Sequence, residues 1–180
     1  GRETVWKKWG VAQAINTGDA MLALANLEMH QLVGLYNEKI ALRASLLLHQ
    51  ATYGLTGGQY LDLAFEKSED VTLNDYWKMI TGKTGALFAA SFGIGAVLGG
   101  EGEEEIQEYQ KLGFRFGSAF QVQDDYLGIW GEDQVTGKPS QNDLLNRKKT
   151  FPVLYARENI PEFRMYWTTH KEFNEDDIDE

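Results

Sequence analysis

The sequence predicts an all-α protein that forms a single domain. Apolar residues recur at helical spacing along most of the 180-residue chain, and no stretch shows the apolar and polar alternation that is typical of a strand. Hydrophobic residues make up 43% of the chain, which is enough for a core and too many for a disordered protein. We therefore expect one helical domain over residues 1–180.

Two long helices are predicted in the first third of the chain. Thr17 can cap the first of them, which runs over residues 20–33 with little polar face. Asn37 or Glu38 begins the second, which continues to Phe65. Three glycines interrupt this second helix and predict either a kink or a close contact with a neighbouring helix: Gly54, Gly57 and Gly58.

A third helix is predicted to begin at Asn74 or Asp75 and to continue into an uncharged stretch, residues 84–100. This stretch is close to the minimum length that spans a bilayer. Its many Gly and Ala residues favour a helix packed closely inside a bundle, so we expect no membrane span. A membrane-associated helical protein built on this stretch remains a less favoured alternative.

A fourth helix begins with Glu103, Glu104 and Glu105, where the helix dipole favours acidic side chains. We expect it to end at Gly131. Two glycines four residues apart predict close approach of a neighbouring helix on one side: Gly113 and Gly117.

The charge balance and the cysteine content exclude several classes of function. With 17 basic and 27 acidic residues, the chain has a formal net charge of −10, which argues against nucleic acid as its main partner. An acidic protein can still bind a phosphorylated ligand where lysines and metal ions cluster. The chain has no cysteine and no apolar leader, so we expect a cytoplasmic protein without disulfides.

The fourth helix also contains the strongest functional signal. Asp124 and Asp125 lie in an otherwise apolar and aromatic run, where two carboxylates are costly unless a cation neutralises them. Gln121 precedes them by one helical turn and shares their face. A hydrophilic loop over residues 132–143 and a helix over residues 150–158 follow. Together with Lys138 and Lys148, which come later in the chain, these carboxylates suit a polyphosphate held through Mg²⁺.

Two weaker pairs lie upstream. Lys83 and Thr84 stand at the entrance of the uncharged stretch, where an ammonium needs a partner or water. That lysine either reaches over a pocket or extends along the helix surface to solvent. Gln59 and Asp62, three residues apart, share a helix face that suits a ligand pocket or a plain surface equally well.

Several segments together resemble the trans-isoprenyl diphosphate synthases. FQVQDDYLGIWG, TGKP, Asp143 and KKTFPVLYA resemble the second aspartate-rich region of that family. GQYLDL and GKTGALF resemble its two motifs on central helices, and WGVAQAINTGDAML resembles the segment that follows its first aspartate-rich motif. The resemblance covers essentially the whole chain, in the family's order.

This resemblance implies an isoprenoid-synthase-type helical bundle around a central cavity, usually as a homodimer. It implies head-to-tail condensation of isopentenyl diphosphate with an allylic diphosphate. In that reaction Mg²⁺ bridges the allylic diphosphate to carboxylates on facing helices. The diphosphate departs to leave an allylic cation, isopentenyl diphosphate attacks, and a proton is lost. Electrostatic stabilisation of the departing diphosphate would be the main catalytic contribution.

By position, the resemblance assigns Asp124 and Asp125 to Mg²⁺, with Asp62 and Gln59 supporting the metal cluster. The family's second motif commonly reads DDxxD, and Gly128 stands here at its fifth position. That replacement implies a weaker metal shell in which Asp125 contributes less than Asp124.

The resemblance also assigns the ligand-binding side chains. Lys83, Lys138 and Lys148 would bind the oxygens of the allylic diphosphate. Gln121 and Thr84 would line the surroundings of the allylic cation.

The family's first aspartate-rich motif would precede Gly1, and a family member would continue past Glu180. Asn174 and the acids after it read either as the start of a further helix or as an acidic tail. We therefore expect a bundle that is incomplete at both ends. The absent motif keeps open a second function, a non-catalytic small subunit that binds and modulates an active synthase.

Overall fold

The computed structural model describes residues 2–132, 141–170 and 172–173, apart from the side chain of Asn142. Among these residues every regular element is a helix and no strand occurs, which confirms the predicted fold class. The α-helices, in chain order, are α1 Val5–Trp9, α2 Val11–Leu35, α3 Glu38–Glu66, α4 Leu73–Ile80, α5 Ala86–Gly99, α6 Glu103–Trp130, α7 Asn142–Leu145, α8 Phe151–Asn159 and α9 Pro161–Thr169. A π-helix, Thr81–Gly85, joins α4 to α5 without a break.

The first long helix begins well before the predicted start. Thr17 lies inside α2 and donates its hydroxyl to the carbonyl oxygen of Gln13 at 2.7 Å, so the prediction that it caps the helix is wrong. A threonine that satisfies its hydroxyl on the preceding turn does not interrupt a helix. The prediction for α3 is confirmed, because the side chain of Asn37 accepts a hydrogen bond from the amide of Ile40 at 3.0 Å.

The third helix begins slightly upstream of the predicted Asn74 or Asp75. Thr72 is the cap, and its hydroxyl accepts a hydrogen bond from the amide of Asp75 at 3.2 Å. The carboxylate of Asp75 in turn accepts from the amide of Thr72 at 3.2 Å. This reciprocal capping box places Asp75 in the first turn rather than at the cap.

Two glycines allow the central helices to pack backbone against backbone. A Cβ atom on Gly58 of α3 would overlap the backbone of Lys83 in the π-helix. A Cβ atom on Gly113 of α6 would lie 2.6 Å from the carbonyl oxygen of Phe88 on α5. Since α3 runs unbroken through its three glycines, the predicted close contact is confirmed and there is no break in the helix.

Three clusters of buried side chains hold the helices in place. One joins α3, α5 and the start of α6, a second joins α4 to α8, and a third joins the end of α6 to α8 and α9. The helix α6 is therefore fixed near both ends, at Ile106 and Ile129, and it stops before Gly131 as predicted. The largest fully buried side chains are Trp167, Tyr76, Ile80, Leu154 and Val153.

Among the described residues, one helical stretch, Leu73–Gly99, is long and apolar enough to cross a bilayer. Its most apolar window is 33% buried in the bundle, and the core helix of a bundle meets the same criterion. The α5 part of this stretch packs against both α3 and α6 through Ala90, Gly93 and Ala96, which are buried. This packing supports the predicted bundle helix.

Candidate active site

Most of the predicted site residues line a single cleft of about 160 Å³. The end of α3, the π-helix, the second half of α6 and the segment between α7 and α8 form its walls. The structure therefore brings together side chains from four separate parts of the chain. The predicted residues that line the cleft are Asp62, Lys83, Gln121, Asp124, Asp125 and Lys148.

The π-helix places Lys83 in the cleft. Its ammonium forms an ion pair with the carboxylate of Asp62 on α3, and the two side chains are 33% and 31% exposed. Short π-helical segments inside α-helices are frequent at functional sites. Of the two interpretations left open for Lys83, the structure supports the lysine that reaches over a pocket.

A chain of hydrogen bonds crosses from the π-helix to α6. The hydroxyl of Thr84 donates to Gln121 Oε1 at 2.7 Å, and Gln121 Nε2 donates to Asp125 Oδ1 at 3.0 Å. Because a carboxylate can only accept hydrogen bonds, Asp125 must face the amide nitrogen of Gln121 and not its oxygen, which fixes the orientation of the Gln121 side chain. The amide oxygen of Gln121 is therefore turned towards Thr84, and its partial negative charge favours a positive charge nearby.

Asp125 is buried, with 6% of its surface exposed, and it holds three helices together. Its Oδ2 accepts a hydrogen bond from the Tyr76 hydroxyl of α4 at 2.7 Å and from the Phe151 amide of α8 at 3.0 Å. Burial raises the pKa of the Asp125 carboxyl, although the hydrogen bonds from Phe151, Tyr76 and Gln121 act to lower it. The pKa of Tyr76 is raised far above its ordinary value by burial and by the adjacent carboxylate of Asp125.

Asp124 differs sharply from Asp125, because it is exposed and lies at the surface of the cleft. Carboxylate oxygens are the ligands that Mg²⁺ prefers, and the cleft presents those of Asp124 and Asp62. The Thr150 hydroxyl oxygen, also in the cleft wall, is buried and lacks a hydrogen-bond partner within the described part of the chain. The carboxylate oxygens of Asp124 and Asp62 suit a hydrated Mg²⁺ ion. In the described ranges, however, no three acidic, histidine or cysteine side chains converge into a complete metal site.

Beside Gly128, at the fifth position of the aspartate-rich motif, lies a carboxylate from another helix. Gly128 leaves a space on α6, and the carboxylate of Asp143 from α7 fills it, so that a Cβ atom on Gly128 would overlap Asp143. Asp143 also pairs with Lys148, Oδ1 to Nζ, at 2.5 Å. Burial acts to lower the pKa of Lys148, but its hydrogen bond to Asp143 and the negative charges of Asp143, Asp62 and Asp125 together leave the pKa raised. A carboxylate from another helix thus stands next to the position where the commoner motif has one.

Several cleft residues were not predicted as site residues. Arg147 donates to the carbonyl oxygen of Trp167 at 2.9 Å, and its guanidinium stacks 4.2 Å from the ring centroid of the same residue. Lys149 donates to the carbonyl oxygen of Glu66 at 3.1 Å. These two cations fix the wall of the cleft to α9 and α3. The sequence shows the basic run from Arg147 to Lys149. It does not show which of these side chains pack against other helices and which face the cleft.

Two predicted residues lie outside the lining of the cleft. Gln59 is half-buried on α3 and does not line the cleft, and Thr84 meets the site only through Gln121. Lys138 lies outside the described residues, so its role in binding stays a prediction. The same holds for the helix start predicted at Asn174.

Comparison with known proteins identifies the family of this chain. A sequence model of the polyprenyl synthetase family matches residues 1–180, and the chain belongs to that family. It is 42% identical over 156 residues to a geranylgeranyl diphosphate synthase of Mycobacterium tuberculosis, which covers 87% of this chain and 44% of that protein. It is 46% identical over 155 residues to a (2E,6E)-farnesyl diphosphate synthase of Mycobacterium bovis, covering 86% of this chain and 42% of that protein.

Solved structures show the same fold. A geranylgeranyl pyrophosphate synthetase from Pyrococcus horikoshii aligns with a TM-score of 0.85 and 33% identity, over 99% of this chain and 54% of that one. A polyprenyl synthase from Caulobacter crescentus, complexed with calcium and isoprenyl diphosphate, aligns with a TM-score of 0.80 and 28% identity over the same shares, 99% and 54%. The chain spans about half the length of the relatives it matches.

Proposed function

We propose that this chain forms the diphosphate-binding half of a Mg²⁺-dependent prenyltransferase. The reaction would condense isopentenyl diphosphate with an allylic diphosphate to give a short-chain trans-prenyl diphosphate. The observation that supports this most directly is the cleft, which is lined by the carboxylates of Asp62 and Asp124 and by the ammonium groups of Lys83 and Lys148. Two named relatives, a geranylgeranyl and a farnesyl diphosphate synthase, make products of this class.

The residues of the cleft would divide the work. Asp124, with Asp62 nearby, would hold Mg²⁺, which when bound neutralises diphosphate charge and favours its departure. Lys83 and Lys148 would bind diphosphate oxygens, and each would exchange its present carboxylate partner for the ligand. Asp125 would act by position, since its carboxylate already accepts three hydrogen bonds from the protein.

Gln121 and Thr84 would stabilise positive charge on the allylic fragment. The amide oxygen of Gln121 and the hydroxyl oxygen of Thr84 both accept positive charge well, and the buried carboxylate of Asp125 polarises them through Gln121. These dipoles are held in place before substrate arrives. Such preorganised dipoles avoid the reorganisation that water would need around a forming cation.

We also propose that the protein acts as a homodimer. The 25-residue helix α2 has no buried residue, although much of its sequence is apolar. A helix of this kind normally buries an apolar face against another element. The exposed apolar side chains of α2 are Val11, Ile15, Met21, Leu22, Leu24, Leu27, Val33 and Leu35.

The alternative is a non-catalytic subunit that modulates an active synthase. The retained Lys83–Asp62 pair and the costly buried Asp125 argue against it, because a site without catalytic use can replace such charges with apolar residues. An assay with Mg²⁺, labelled isopentenyl diphosphate and allylic diphosphates of increasing length separates the two functions. Elongated product supports the enzyme. Mg²⁺-dependent diphosphate binding without product, both alone and with the rest of a synthase supplied as a second chain, supports the subunit.

A further inference from the structure

Arg147 follows the short helix α7 in a backbone conformation that glycine adopts most easily. Its φ of 50° lies in the left-handed region. The amide of Arg147 donates to the carbonyl oxygen of Leu144 at 2.8 Å, and the amide of Lys148 donates to that of Asp143 at 2.9 Å. These two hydrogen bonds form the Schellman motif that closes a helix, whose left-handed position is usually a glycine. An arginine at this position has a conformational cost that other contacts must offset.

The side chain of Arg147 makes contacts that offset this cost. Its Nη1 donates to the carbonyl oxygen of His170, and its Nη2 donates to that of Trp167 at 2.9 Å. The guanidinium also lies 4.2 Å from the ring centroid of Trp167 and 5.0 Å from that of Phe173. Only 13% of the side chain is exposed. These contacts fix Arg147 at the C-terminal end of α9.

The left-handed turn at Arg147 determines where Lys148 lies. The turn places the amide of Lys148 on the carbonyl oxygen of Asp143, and the ammonium of Lys148 then lines the cleft. If Arg147 left the left-handed region, this amide would turn away from Asp143 and the side chain of Lys148 would leave its place in the wall. Both terminal nitrogens of Arg147 are already bonded to carbonyl oxygens near the end of α9. Arg147 therefore contributes to the site by its backbone conformation rather than by its charge.

We propose that Arg147 is a positioning residue for Lys148 and thereby for the diphosphate. Contacts at the end of α9 hold the left-handed turn, and the turn presents the ammonium of Lys148 to the ligand. This inference rests on the proposed function, in which Lys148 binds a diphosphate oxygen. It adds that α9, whose residues do not line the cleft, controls the affinity for the ligand through one arginine.

Three substitutions of Arg147 separate positioning from a direct effect of charge and from a purely structural role. Arg147→Ala removes the contacts with α9 and retains the cost of the left-handed turn, so the turn should open. Arg147→Gly removes the same contacts but adopts a positive φ without steric cost. Arg147→Lys keeps the positive charge but lacks the planar group that reaches two carbonyl oxygens.

Arg164→Ala is the matched control. Arg164 also donates to two carbonyl oxygens beside a helix end, those of Arg157 and Glu158, both at 2.7 Å. It does not line the cleft. Its removal should therefore lower the stability of the fold without changing the affinity for the ligand.

The test measures binding of inorganic pyrophosphate with Mg²⁺ by calorimetry, after circular dichroism has confirmed that each variant is folded. Arg147→Ala and Arg147→Lys are expected to weaken binding by about fivefold, the factor by which residues other than glycine disfavour the left-handed turn. Arg147→Gly should stay within about twofold of wild type, because glycine keeps the turn. Arg164→Ala should lower the urea midpoint and leave the affinity unchanged.

Double substitutions test whether Arg147 acts through Lys148. In a Lys148→Ala background, Arg147→Ala should have no further effect on pyrophosphate affinity, because the ammonium that it positions is already absent. In a Lys83→Ala background, Arg147→Ala should keep its full effect, because Lys83 is held by the π-helix on another wall of the cleft.

Several results would overturn the inference while the diphosphate site stands. Equal losses in Arg147→Ala and Arg147→Gly, with wild-type affinity in Arg147→Lys, would show that Arg147 acts by its charge. Unchanged affinity in Arg147→Ala, or an equal loss in Arg164→Ala, would show a purely structural role. A full effect of Arg147→Ala in the Lys148→Ala background would exclude action through Lys148. If wild type does not bind pyrophosphate, the proposed function fails and the inference fails with it.

Discussion

The hydroxyl of Tyr76 donates a 2.7 Å hydrogen bond to the buried carboxylate of Asp125, and this contact ties α4 to the centre of α6. Removing the carboxylate leaves three donors without their acceptor, whereas removing the hydroxyl leaves the carboxylate with two donors. We expect Asp125→Ala to lower the free energy of unfolding by about 3 kcal/mol and Tyr76→Phe by about 1.5 kcal/mol. Urea unfolding followed by circular dichroism measures both. Equal effects of the two variants would contradict the three-donor arrangement.

The same carboxyl predicts a pH dependence. Burial raises the pKa of Asp125 in the folded state above its ordinary value of 3.8, so the folded state binds the proton more tightly. Its contribution to stability is complete below 3.8 and is lost as the pH rises through the folded value. Asp125→Asn cannot ionise, so its stability relative to wild type should rise over that interval. Urea midpoints of both proteins from pH 4 to pH 8 measure the difference, and a flat difference would contradict the shift.

Two glycine-to-alanine substitutions should differ in their effect on stability, because Asp143 fills the space beside Gly128 whereas the space beside Gly95 is open. Gly95 of α5 has open space where a Cβ would lie, so Gly95→Ala should stabilise the helix by about 0.5–1 kcal/mol. Gly128→Ala should forfeit this gain, because the carboxylate of Asp143 must move away. That movement breaks its pairing with Lys148 and frees this lysine for the ligand, so we expect Gly128→Ala to strengthen pyrophosphate binding. Thermal unfolding and calorimetry test the pair. A stabilised Gly128→Ala with unchanged binding would show that Asp143 does not depend on the space.

Lys83 and Lys138 should affect the ligand but not the metal. Each would supply a charge-assisted hydrogen bond to a diphosphate oxygen, so Lys83→Ala or Lys138→Ala should weaken Mg²⁺-dependent pyrophosphate binding by about tenfold. The number of Mg²⁺ ions bound should not change. Lys111→Ala is the control, because this lysine pairs with Glu108 on the exposed surface of α6. A lysine whose removal leaves the affinity at the control value has no part in the site.

Much of the fold could be predicted from local patterns. Asn37 and the acids of Glu103–Glu105 mark helix starts because caps and first-turn charges act within one turn of the backbone. The start of α2 was predicted wrongly, because a threonine such as Thr17 can cap a helix but here donates its hydroxyl to the carbonyl oxygen of Gln13, one turn earlier in the same helix. The π-helix at Thr81–Gly85 has no local signal of this kind. It is seen only once α3 is packed against it.

The site was predicted less evenly. Gln121 and Asp125 could be placed on one face because their spacing of four residues is a helical one. The sequence could not predict that Asp125 is buried and Asp124 exposed. This difference depends on Tyr76 and Phe151, which approach Asp125 from other helices. Asp143 next to Gly128 is likewise a contact between helices that sequence spacing does not reveal.

The most direct test of the account is the binding of inorganic pyrophosphate to wild type and to Asp124→Ala, with and without Mg²⁺. Asp19→Ala, at an exposed acid on α2, is the matched control. We predict that wild type and Asp19→Ala bind pyrophosphate only when Mg²⁺ is present. Asp124→Ala should lose this binding and keep its helicity. Wild-type affinity in Asp124→Ala would contradict the assignment of this cleft as a metal-dependent diphosphate site.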